Sequence, residues 1–238
     1  MPEDRATHPQ APAGAELAPS ECACPVDPRI ARHFDRRSLK RRGVGQRYEM
    51  GKVSRKLLAA LLAAGPAEQT VLELGCGPGA LLTELLAAGA QHATGVDLSP
   101  EPIEEARQRT AEAGFAERVT FAVGDGARMP LVAHDWVVLD KVICCYPDAA
   151  SLLANSIVAA RGLYGFAVPA SQGWRGALAR IQMWLEDVAS RLRGRPCPGY
   201  VHDVDIIEGR LEAAGFRPSY RGTTWTWHVA VFERVAAA

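Results

Sequence analysis

Glycines and acids in the first half of the chain are spaced as a site for a nucleotide-like cofactor needs them. The stretch ELGCGPGA, residues 73–80, lies between an apolar run and a helical pattern. Gly75 and Gly77 let the backbone turn tightly and approach a ligand, because they carry no Cβ. Asp97 ends the next apolar run, where an acid can accept hydrogen bonds from ribose hydroxyls. The G-x-G-x-x-A spacing alone fits NAD as well as other adenosyl cofactors.

Three further features separate these cofactors. Glu73 stands two residues before the first glycine, where dinucleotide folds prefer an apolar residue. Gly79 follows Pro78, which shapes a loop suited to an amino-acid tail rather than to a pyrophosphate. In VGDG, Asp125 ends a third apolar run, where its carboxylate could accept from an adenine amino group. Together they favour an adenosyl cofactor that carries an amino acid.

The stretch LDKVICCYPD, residues 139–148, is a second group of chemically active side chains. It reads as the end of a fourth buried strand, and strand ends of an open α/β sheet face the ligand crevice. Tyr146 and His202 are the candidate general bases, and His228 and His33 are further candidates, although a lone histidine is more often structural. No catalytic residue is assigned from the sequence.

The adjacent Cys144 and Cys145 allow four interpretations. The one that base rates favour is ordinary burial, since free cysteine is commonly a small core residue. One thiol could instead line the acceptor pocket. Both could join Cys22, Cys24 and Cys197 in a soft-metalloid site, although their spacing matches no metal pattern. A disulfide between neighbours would be strained.

The elements that must position these groups alternate along the chain. Five buried strands end near residues 74, 98, 125, 143 and 168, and helical patterns separate the first three and the last two. Ser99 and Pro100 are expected to begin one of these helices as N-cap and first-turn residue. Two alternating strands near 217–225 and 227–233 suggest an antiparallel hairpin. This order predicts an α/β fold with a mostly parallel sheet covered by helices on both faces.

The remaining segments predict the domain organisation. Residues 1–21 are rich in Ala, Pro and Glu and are expected to be a disordered tail. Residues 22–238 form one domain that includes a basic gate (22–52) and a helical insertion (170–203). The gate is either a solvated helix or arm, or a source of cations for a bound carboxylate. The apolar stripe of the insertion favours core or dimer packing over a lid, which makes a homodimer through 170–203 one predicted partner.

The motifs VLELGCGPG, GVDLS and VGDG, in this order and spacing, resemble the class I S-adenosylmethionine-dependent methyltransferases over about residues 53–168. The resemblance implies a Rossmann-like, seven-stranded sheet whose last strand is antiparallel. It implies S-adenosyl-L-methionine as cofactor, bound by the positions that match the family's motifs. These positions are the backbone around Gly75 and Gly77, with Glu73 and Cys76, for the methionine part, Asp97 and Leu98 for ribose and adenine, Asp125 and Gly126 for the adenine edge, and the backbone of Asp140 or Lys141 for the amino group.

The segment DKVICCYP is also similar to the D-x-x-I-H-Y-P stretch of magnesium-protoporphyrin O-methyltransferases. Cysteine stands here in place of the histidine, so the similarity points to a small-molecule acceptor without identifying a porphyrin. The alternatives are a non-catalytic S-adenosylmethionine-binding sensor or assembly protein and an NAD-linked oxidoreductase.

Composition limits the remaining possibilities. The 27 basic and 27 acidic residues cancel, so a nucleic-acid partner is not expected. No apolar stretch is long enough for a transmembrane helix, and the first residues contain no apolar signal core. Six cysteines, two of them adjacent, do not make a disulfide framework. These features predict a cytoplasmic protein with no membrane association and no metal site.

Overall fold

The computed structural model describes residues 28–65, 68–146, 149–192 and 199–235. The predicted tail at 1–21 and the cysteines Cys22, Cys24 and Cys197 lie outside the described residues. The helices are α1 (Pro28–Gly43), α2 (Lys52–Ala64), α3 (Ala80–Ala87), α4 (Pro100–Glu112), α5 (Ala149–Ala159), α6 (Gly173–Leu192) and α7 (Val204–Ala213). The strands are β1 (Thr70–Leu74), β2 (His92–Asp97), β3 (Val119–Val123), β4 (His134–Asp140), β5 (Ala160–Pro169), β6 (Phe216–Thr224) and β7 (Trp227–Arg234).

The seven strands form one sheet in the order β3-β2-β1-β4-β5-β7-β6. The first five pair in parallel, and β7 runs antiparallel to both β5 and β6. The predicted Rossmann-like sheet with an antiparallel C-terminal hairpin is therefore confirmed. The chain reverses its direction of travel across the sheet between β1 and β4, and ligands bind at such a point in open α/β sheets.

Two hydrophobic cores cover the two faces of the sheet, as predicted. Helices α5 and α7 pack on one face through residues such as Leu152 and Leu211, both fully buried. Helices α2, α3 and α4 pack on the other face, with Leu61 and Leu82 fully buried. Apolar residues fill both faces of the parallel strands, which is why those strands read as continuous hydrophobic runs. The sheet is thus a rigid support for the ends of its strands.

The start of α4 differs in one detail from the sequence prediction. Ser99 occupies the N-cap position, but its side chain does not cap the helix. Its hydroxyl donates instead to the carbonyl of Ala31 in α1, at 3.0 Å. Asp35, also in α1, accepts from the Glu101 amide at 3.1 Å and so does the work of the N-cap side chain. Ser99 as the N-cap residue and Pro100 in the first turn are therefore confirmed, but a tertiary contact replaces the hydrogen bond of the Ser99 side chain.

Within the described ranges, no helix is long and apolar enough to cross a membrane. The same ranges contain no group of three or more His, Cys, Asp or Glu side chains placed to hold a metal ion.

Candidate functional site

A cavity of about 370 Å³ lies at the carboxyl ends of β1, β2 and β4. One side, the strand-end wall, consists of residues at and just after these ends. Its members are Glu73, Gly75, Cys76, Gly77, Asp97, Leu98, Gly126, Asp140 and Lys141. The other side, the helix wall, belongs to α1 and the segment that follows it. Its members are Ile30, Phe34, Arg37, Arg41, Tyr48 and Met50.

The glycine turn adopts the conformation that its residues permit. Gly75 and Gly77 have φ of 67° and 50°, a region in which side chains are strained. The amides of Gly75 and Cys76 both donate to the carbonyl of Val96, at 2.7 and 3.1 Å. A Cβ on Gly75 would lie 2.5 Å from a methyl of Val142, whereas one on Gly77 would meet nothing within 4 Å. The absence of a Cβ at Gly75 therefore permits close packing against Val142. At Gly77 it leaves open space at the floor of the cavity.

Asp97 joins the glycine turn to the start of α4. One carboxylate oxygen accepts from the Gly77 amide at 2.8 Å, and the other accepts from the Ser99 amide at 2.9 Å. Burial raises the pKa of this carboxyl, while the two amides lower it. Each oxygen has a second lone pair, so the group can still accept from a ligand diol.

Glu73 and Asp140 make the strand-end wall strongly acidic. Burial raises the pKa of Glu73 well above its usual range, and the neighbouring Asp140 raises it further. Burial also raises the pKa of Asp140, against the opposing effect of Lys141. Glu73 Oε2 and Asp140 Oδ1 are buried without any hydrogen-bond donor in the described part of the chain. A buried carboxylate oxygen without a donor is costly, so this wall favours a ligand that brings cations and donors.

Lys141 has an unusual backbone for a residue with a side chain. Its φ is 61°, and its amide donates to the carbonyl of Ala167 at 3.1 Å. Burial lowers the pKa of its ammonium group, but Asp140 and Tyr48 outweigh burial and leave that pKa raised. The Nζ atom lies 3.5 Å from both the Asp140 carboxylate and the Tyr48 hydroxyl. Lys141 thus connects the strand-end wall with the helix wall.

Asp125 and the two candidate bases lie together, but only Tyr146 lines the cavity. The Tyr146 hydroxyl donates to Asp125 at 2.9 Å, and burial followed by Asp125 raises the pKa of this phenol. The Ala127 amide donates to the same oxygen of Asp125. A ring nitrogen of His202 lies 2.8 Å from the Tyr146 carbonyl. In this geometry the Tyr146 hydroxyl is a hydrogen-bond donor to Asp125 and is not free to act as a general base.

The two cysteines occupy a short 3-10 helix, Ile143–Cys145, just after β4. Cys144 is 5% exposed, and its thiol lies 3.4 Å from the Lys141 carbonyl. Cys145 lines the cavity. The hydrogen bond with Cys144 and then burial raise the pKa of the Cys145 thiol well above its usual value. The burial interpretation therefore suits Cys144, and the interpretation of a thiol in the pocket wall suits Cys145.

Side-chain contacts with α4 hold the helix wall in place. Glu105, 8% exposed, accepts from Ser38 at 2.5 Å and from Arg41 at 2.9 Å. Arg42 pairs with Glu101 at 3.1 Å, at the point where Asp35 accepts from the Glu101 amide. These α1–α4 contacts place the basic segment over the cavity, whereas its sequence allowed a free arm.

Several residues of the site had no signal in the sequence. Ser54 in α2 donates to Asp140 at 2.6 Å, and Glu105 anchors α1 from the middle of a helix. Neither lies in a recognisable motif. Helix α6, for which the sequence favoured core or dimer packing over a lid, contributes no residue to the cavity lining. Glu105 is an acid among the buried, mostly apolar positions of α4. An acid at such a position is the one sequence signal that could have indicated a tertiary partner.

The strand order and the cavity at the β1–β4 crossover define a Rossmann-like protein of the methyltransferase type. Residues 71–159 match a family model described as a methyltransferase domain. Within residues 71–159 the chain therefore carries a methyltransferase domain, which agrees with the class I S-adenosylmethionine-dependent type that the glycine turn and the two acids after it predicted.

Similar proteins differ in what they act on. Ribosomal protein L11 methyltransferase of Sodalis glossinidius is 40% identical over 75 residues, 32% of this chain and 25% of that protein. Ubiquinone biosynthesis O-methyltransferase of Serratia proteamaculans is 33% identical over 92 residues, 38% of each chain. The chain spans only 18% to 38% of the length of the first four curated relatives.

Solved structures share the fold over more of the chain. The magnesium protoporphyrin IX methyltransferase of Synechocystis, with bound SAH, has a TM-score of 0.66 and 20% identity. That comparison covers 87% of this chain and 98% of the other. An O-methyltransferase family 2 protein of Planctomyces limnophilus, in complex with apigenin, has a TM-score of 0.64 and 17% identity, over 87% of this chain and 63% of that one. At these identities the likeness concerns the fold alone.

Proposed function

We propose that the protein transfers a methyl group from S-adenosylmethionine to a small-molecule acceptor, and that both bind between the strand-end wall and the helix wall. The observation that carries the cofactor assignment is the acidity of the strand-end wall. Three carboxylates, the buried Glu73 and the half-buried Asp97 and Asp140, face one cavity, and two of their oxygens have no donor in the described residues. A ligand with an ammonium and a sulfonium group satisfies them, whereas the pyrophosphate of NAD would be repelled.

The residues present fit the cofactor group by group. Glu73 Oε2 and Asp140 Oδ1 would accept from the methionine ammonium. Asp97, with its free lone pairs, would accept from the ribose hydroxyls, and Leu98 would pack against the adenine. Gly77 lies at the cavity floor without a Cβ that could exclude the methionine part. Gly126 lines the cavity where the adenine edge would lie, and Asp125 supports this segment from behind through Tyr146.

Methyl transfer requires the protein mainly to position the acceptor relative to the methyl group. The bound cofactor supplies a methyl group already activated by its positive sulfur. The helix wall excludes water from the cavity and holds the acceptor against the strand-end wall, and orientation of this kind can supply about 7–11 kcal/mol. Tyr146 donates to Asp125 and His202 does not line the cavity, so neither is placed to remove a proton from the acceptor. An acceptor that is already ionised, such as a carboxylate or thiolate, needs no base.

The helix wall supports a small and anionic acceptor. Phe34, Ile30 and Met50 supply apolar surface, which suits a flat or apolar molecule. Arg37 also lines the cavity, and it has no ion pair in the described part of the chain, unlike Arg41 and Lys141. A guanidinium group at the mouth of the cavity would bind a carboxylate. The cytoplasmic location of such an enzyme stays a prediction.

Calorimetric titration tests the cofactor assignment. S-adenosylmethionine and S-adenosylhomocysteine should bind with micromolar dissociation constants, and NAD should not bind. Asp97→Ala should weaken S-adenosylhomocysteine at least about 100-fold, since two hydrogen bonds to a charged group are lost. Asp97→Asn tests the charge with the side-chain shape kept, and Glu117→Ala, at an exposed acid outside the cavity, is the matched control.

Turnover separates an enzyme from a sensor. Transfer of a labelled methyl group should be detected with a panel of aromatic carboxylates, phenols and thiols. Tight cofactor binding without transfer to any acceptor class would favour the sensor or assembly protein. Binding of NAD alone would contradict the proposal at its first step.

A further inference from the structure

Helix α6 has apolar side chains on two opposite faces. One face packs on its own domain, where Ala179 is 2% exposed and Met183 contacts Gly199. The other face carries the α6 stripe, which consists of Trp174, Leu178, Ile181, Leu185, Val188 and Leu192. No residue of the α6 stripe belongs to either hydrophobic core of the described chain. The stripe is therefore an apolar face without a partner inside the described part of this molecule.

The α6 stripe is well exposed and has aromatic neighbours. Trp174, Ile181 and Leu185 are 60%, 54% and 53% exposed. Trp184 and Trp225 enlarge the patch at 63% and 72% exposure, and the rings of Trp225 and Trp174 pack edge to face at 6.1 Å. Monomeric proteins rarely expose contiguous surface of this kind, and tryptophan is enriched where protein surfaces meet.

The spacing of the α6 stripe is that of a coiled-coil seam. Successive members are separated by four, three, four, three and four residues. The mean interval is that of a heptad repeat, and a helix with such a seam packs against another helix of the same period. The series also reads the same in both directions. An antiparallel copy would therefore place Trp174 opposite Leu192, and Ile181 opposite Leu185.

The charges of α6 favour the same arrangement. Its first half carries Arg175 and Arg180 and no acid, whereas Glu186 and Asp187 lie in its second half. Antiparallel pairing in this register brings Arg180 of one helix level with Glu186 of the other, whereas parallel pairing would bring each of these residues level with its own copy. The helix dipoles also oppose one another in the antiparallel pair.

We propose that two copies of this chain form a symmetric dimer in which the α6 stripes pack antiparallel about a two-fold axis that passes between Ile181 and Leu185. The interface is isologous, because the same surface serves both copies. From Trp174 to Leu192 the seam is about 27 Å long, at 1.5 Å per residue. The two Trp184 side chains lie beside the axis, and Trp174 and Trp225 close each end.

A membrane surface is the competing occupant, and the two adjacent acids in the second half of α6, Glu186 and Asp187, are the charges that argue against it. Helices that lie in the interface of a bilayer carry Lys and Arg on their polar face. Glu186 and Asp187 would instead be repelled by anionic lipid. The dimer does not depend on the methyltransferase activity, so its test is independent of the proposed function.

Sedimentation velocity of the full chain tests the dimer. At micromolar concentration the protein should sediment with twice its chain mass of 25.6 kDa. Ile181→Glu should raise the dimer dissociation constant at least about 100-fold, because symmetry places two glutamates in the seam. Val132→Glu changes a valine that is 75% exposed elsewhere and should leave the dimer intact. A thermal melt checks that both variants are folded.

Disulfide trapping tests the antiparallel register. An oxidised mixture of the single variants Ile181→Cys and Leu185→Cys should give a mixed disulfide between positions 181 and 185, identified by peptide mass. Three results would overturn the proposal: a wild-type monomer, a dimer that Ile181→Glu leaves unchanged, or a monomer that co-sediments with phosphatidylcholine–phosphatidylserine vesicles and loses them in Ile181→Glu.

Discussion

The strand-end wall of the cavity is made by backbone turns at the ends of β1, β2 and β4, whereas the helix wall is one helix and the segment after it, held by side chains. In the first wall, the amides of Gly77 and Ser99 fix the Asp97 carboxylate, and the sheet on both sides fixes the turns themselves. In the second wall, Glu105 and Asp35 provide most of the anchoring contacts between α1 and α4.

This difference separates what holds the cofactor from what encloses it. A strand-end wall that is part of the core cannot move without unfolding the sheet. A helix held by a few polar contacts can detach while the sheet stays intact, because its local opening costs less than global unfolding. Substitutions in the strand-end wall should therefore lower global stability, whereas substitutions in the helix wall should detach the helix locally at a smaller cost.

Gly75→Ala should have the largest effect, because this position of the strand-end wall excludes a side chain both by its backbone conformation and by its close packing. The new Cβ would meet Val142 at 2.5 Å, at a residue with φ of 67°. Strain and overpacking together should lower the free energy of unfolding by about 3 kcal/mol or more and abolish binding of S-adenosylhomocysteine.

Gly77→Ala is the matched control for the packing contribution. Its φ is 50°, but its Cβ would meet nothing within 4 Å. Urea denaturation should show a loss of only about 1–2 kcal/mol, the cost of the left-handed backbone. Equal losses in the two variants would contradict the packing role of Gly75.

Glu105→Ala should detach the helix wall and leave the sheet in place. It removes the partner of both Ser38 and Arg41, a loss of about 2–3 kcal/mol for a mostly buried pair. Trypsin should then cleave within α1, which is rich in arginine, much faster than in the wild type. Cofactor affinity should fall about tenfold, because the cavity loses its cover.

Glu112→Ala is the control, because it removes the exposed ion pair between α4 and Arg47. Surface pairs of this kind contribute about 0–1 kcal/mol, so cleavage in α1 should stay near the wild-type rate. If Glu105→Ala also leaves cleavage unchanged, contacts other than Glu105 hold the helix wall.

The same difference explains how much of the site the sequence predicted. Glycines, strand ends and the acids beside them leave a local pattern, which predicted the sheet and the places of Glu73 and Asp97 at strand ends, whereas Asp140 came from the family resemblance. The helix wall depends on pairs such as Ser38 with Glu105, which lie 67 residues apart and belong to no motif. For the same reason the sequence predicted Ser99 as the N-cap residue of α4 correctly but did not predict that Asp35 of α1 supplies the capping hydrogen bond.

Side-chain direction was also outside what the sequence could predict. Asp125 was expected to contact the adenine, and its position at the end of β3 was correct to within two residues. Its carboxylate, however, accepts from Tyr146 and Ala127 and does not line the cavity. Its expected contact with the adenine stays a prediction, since a bound ligand would have to compete with these donors.

Glu73→Gln tests the charge of the strand-end wall, because it removes the ionisable group and keeps the shape of the side chain. Burial raises the pKa of Glu73 above its usual value of 4.5, so the unfolded chain releases this proton at lower pH than the folded one. Stability from this group is therefore lost as pH rises from about 4.5 toward the higher folded pKa. Glutamine lacks this penalty.

The variant should accordingly be more stable than the wild type at pH 7, by about 1 kcal/mol, and the gain should vanish below pH 4. Its affinity for S-adenosylhomocysteine should fall about tenfold or more at pH 7, because the ammonium group loses a charged partner. Melting curves at both pH values, with and without ligand, measure the two effects. A variant that is no more stable at pH 7 would contradict the acidic-wall argument.

Cys145→Ser should have the smallest effect, although this thiol lines the same cavity. The hydrogen bond with Cys144 and burial raise the thiol pKa, so the reactive thiolate is scarce at neutral pH. Alkylation of Cys145 by iodoacetamide, followed by peptide mass, should be at least about tenfold slower than that of free cysteine. The serine variant should bind S-adenosylhomocysteine within about threefold of the wild type, since the hydroxyl keeps the polar contact in nearly the same volume. Rapid alkylation that S-adenosylhomocysteine blocks would instead place this sulfur at the reacting centre, and Cys145 would then belong with the acids of the strand-end wall.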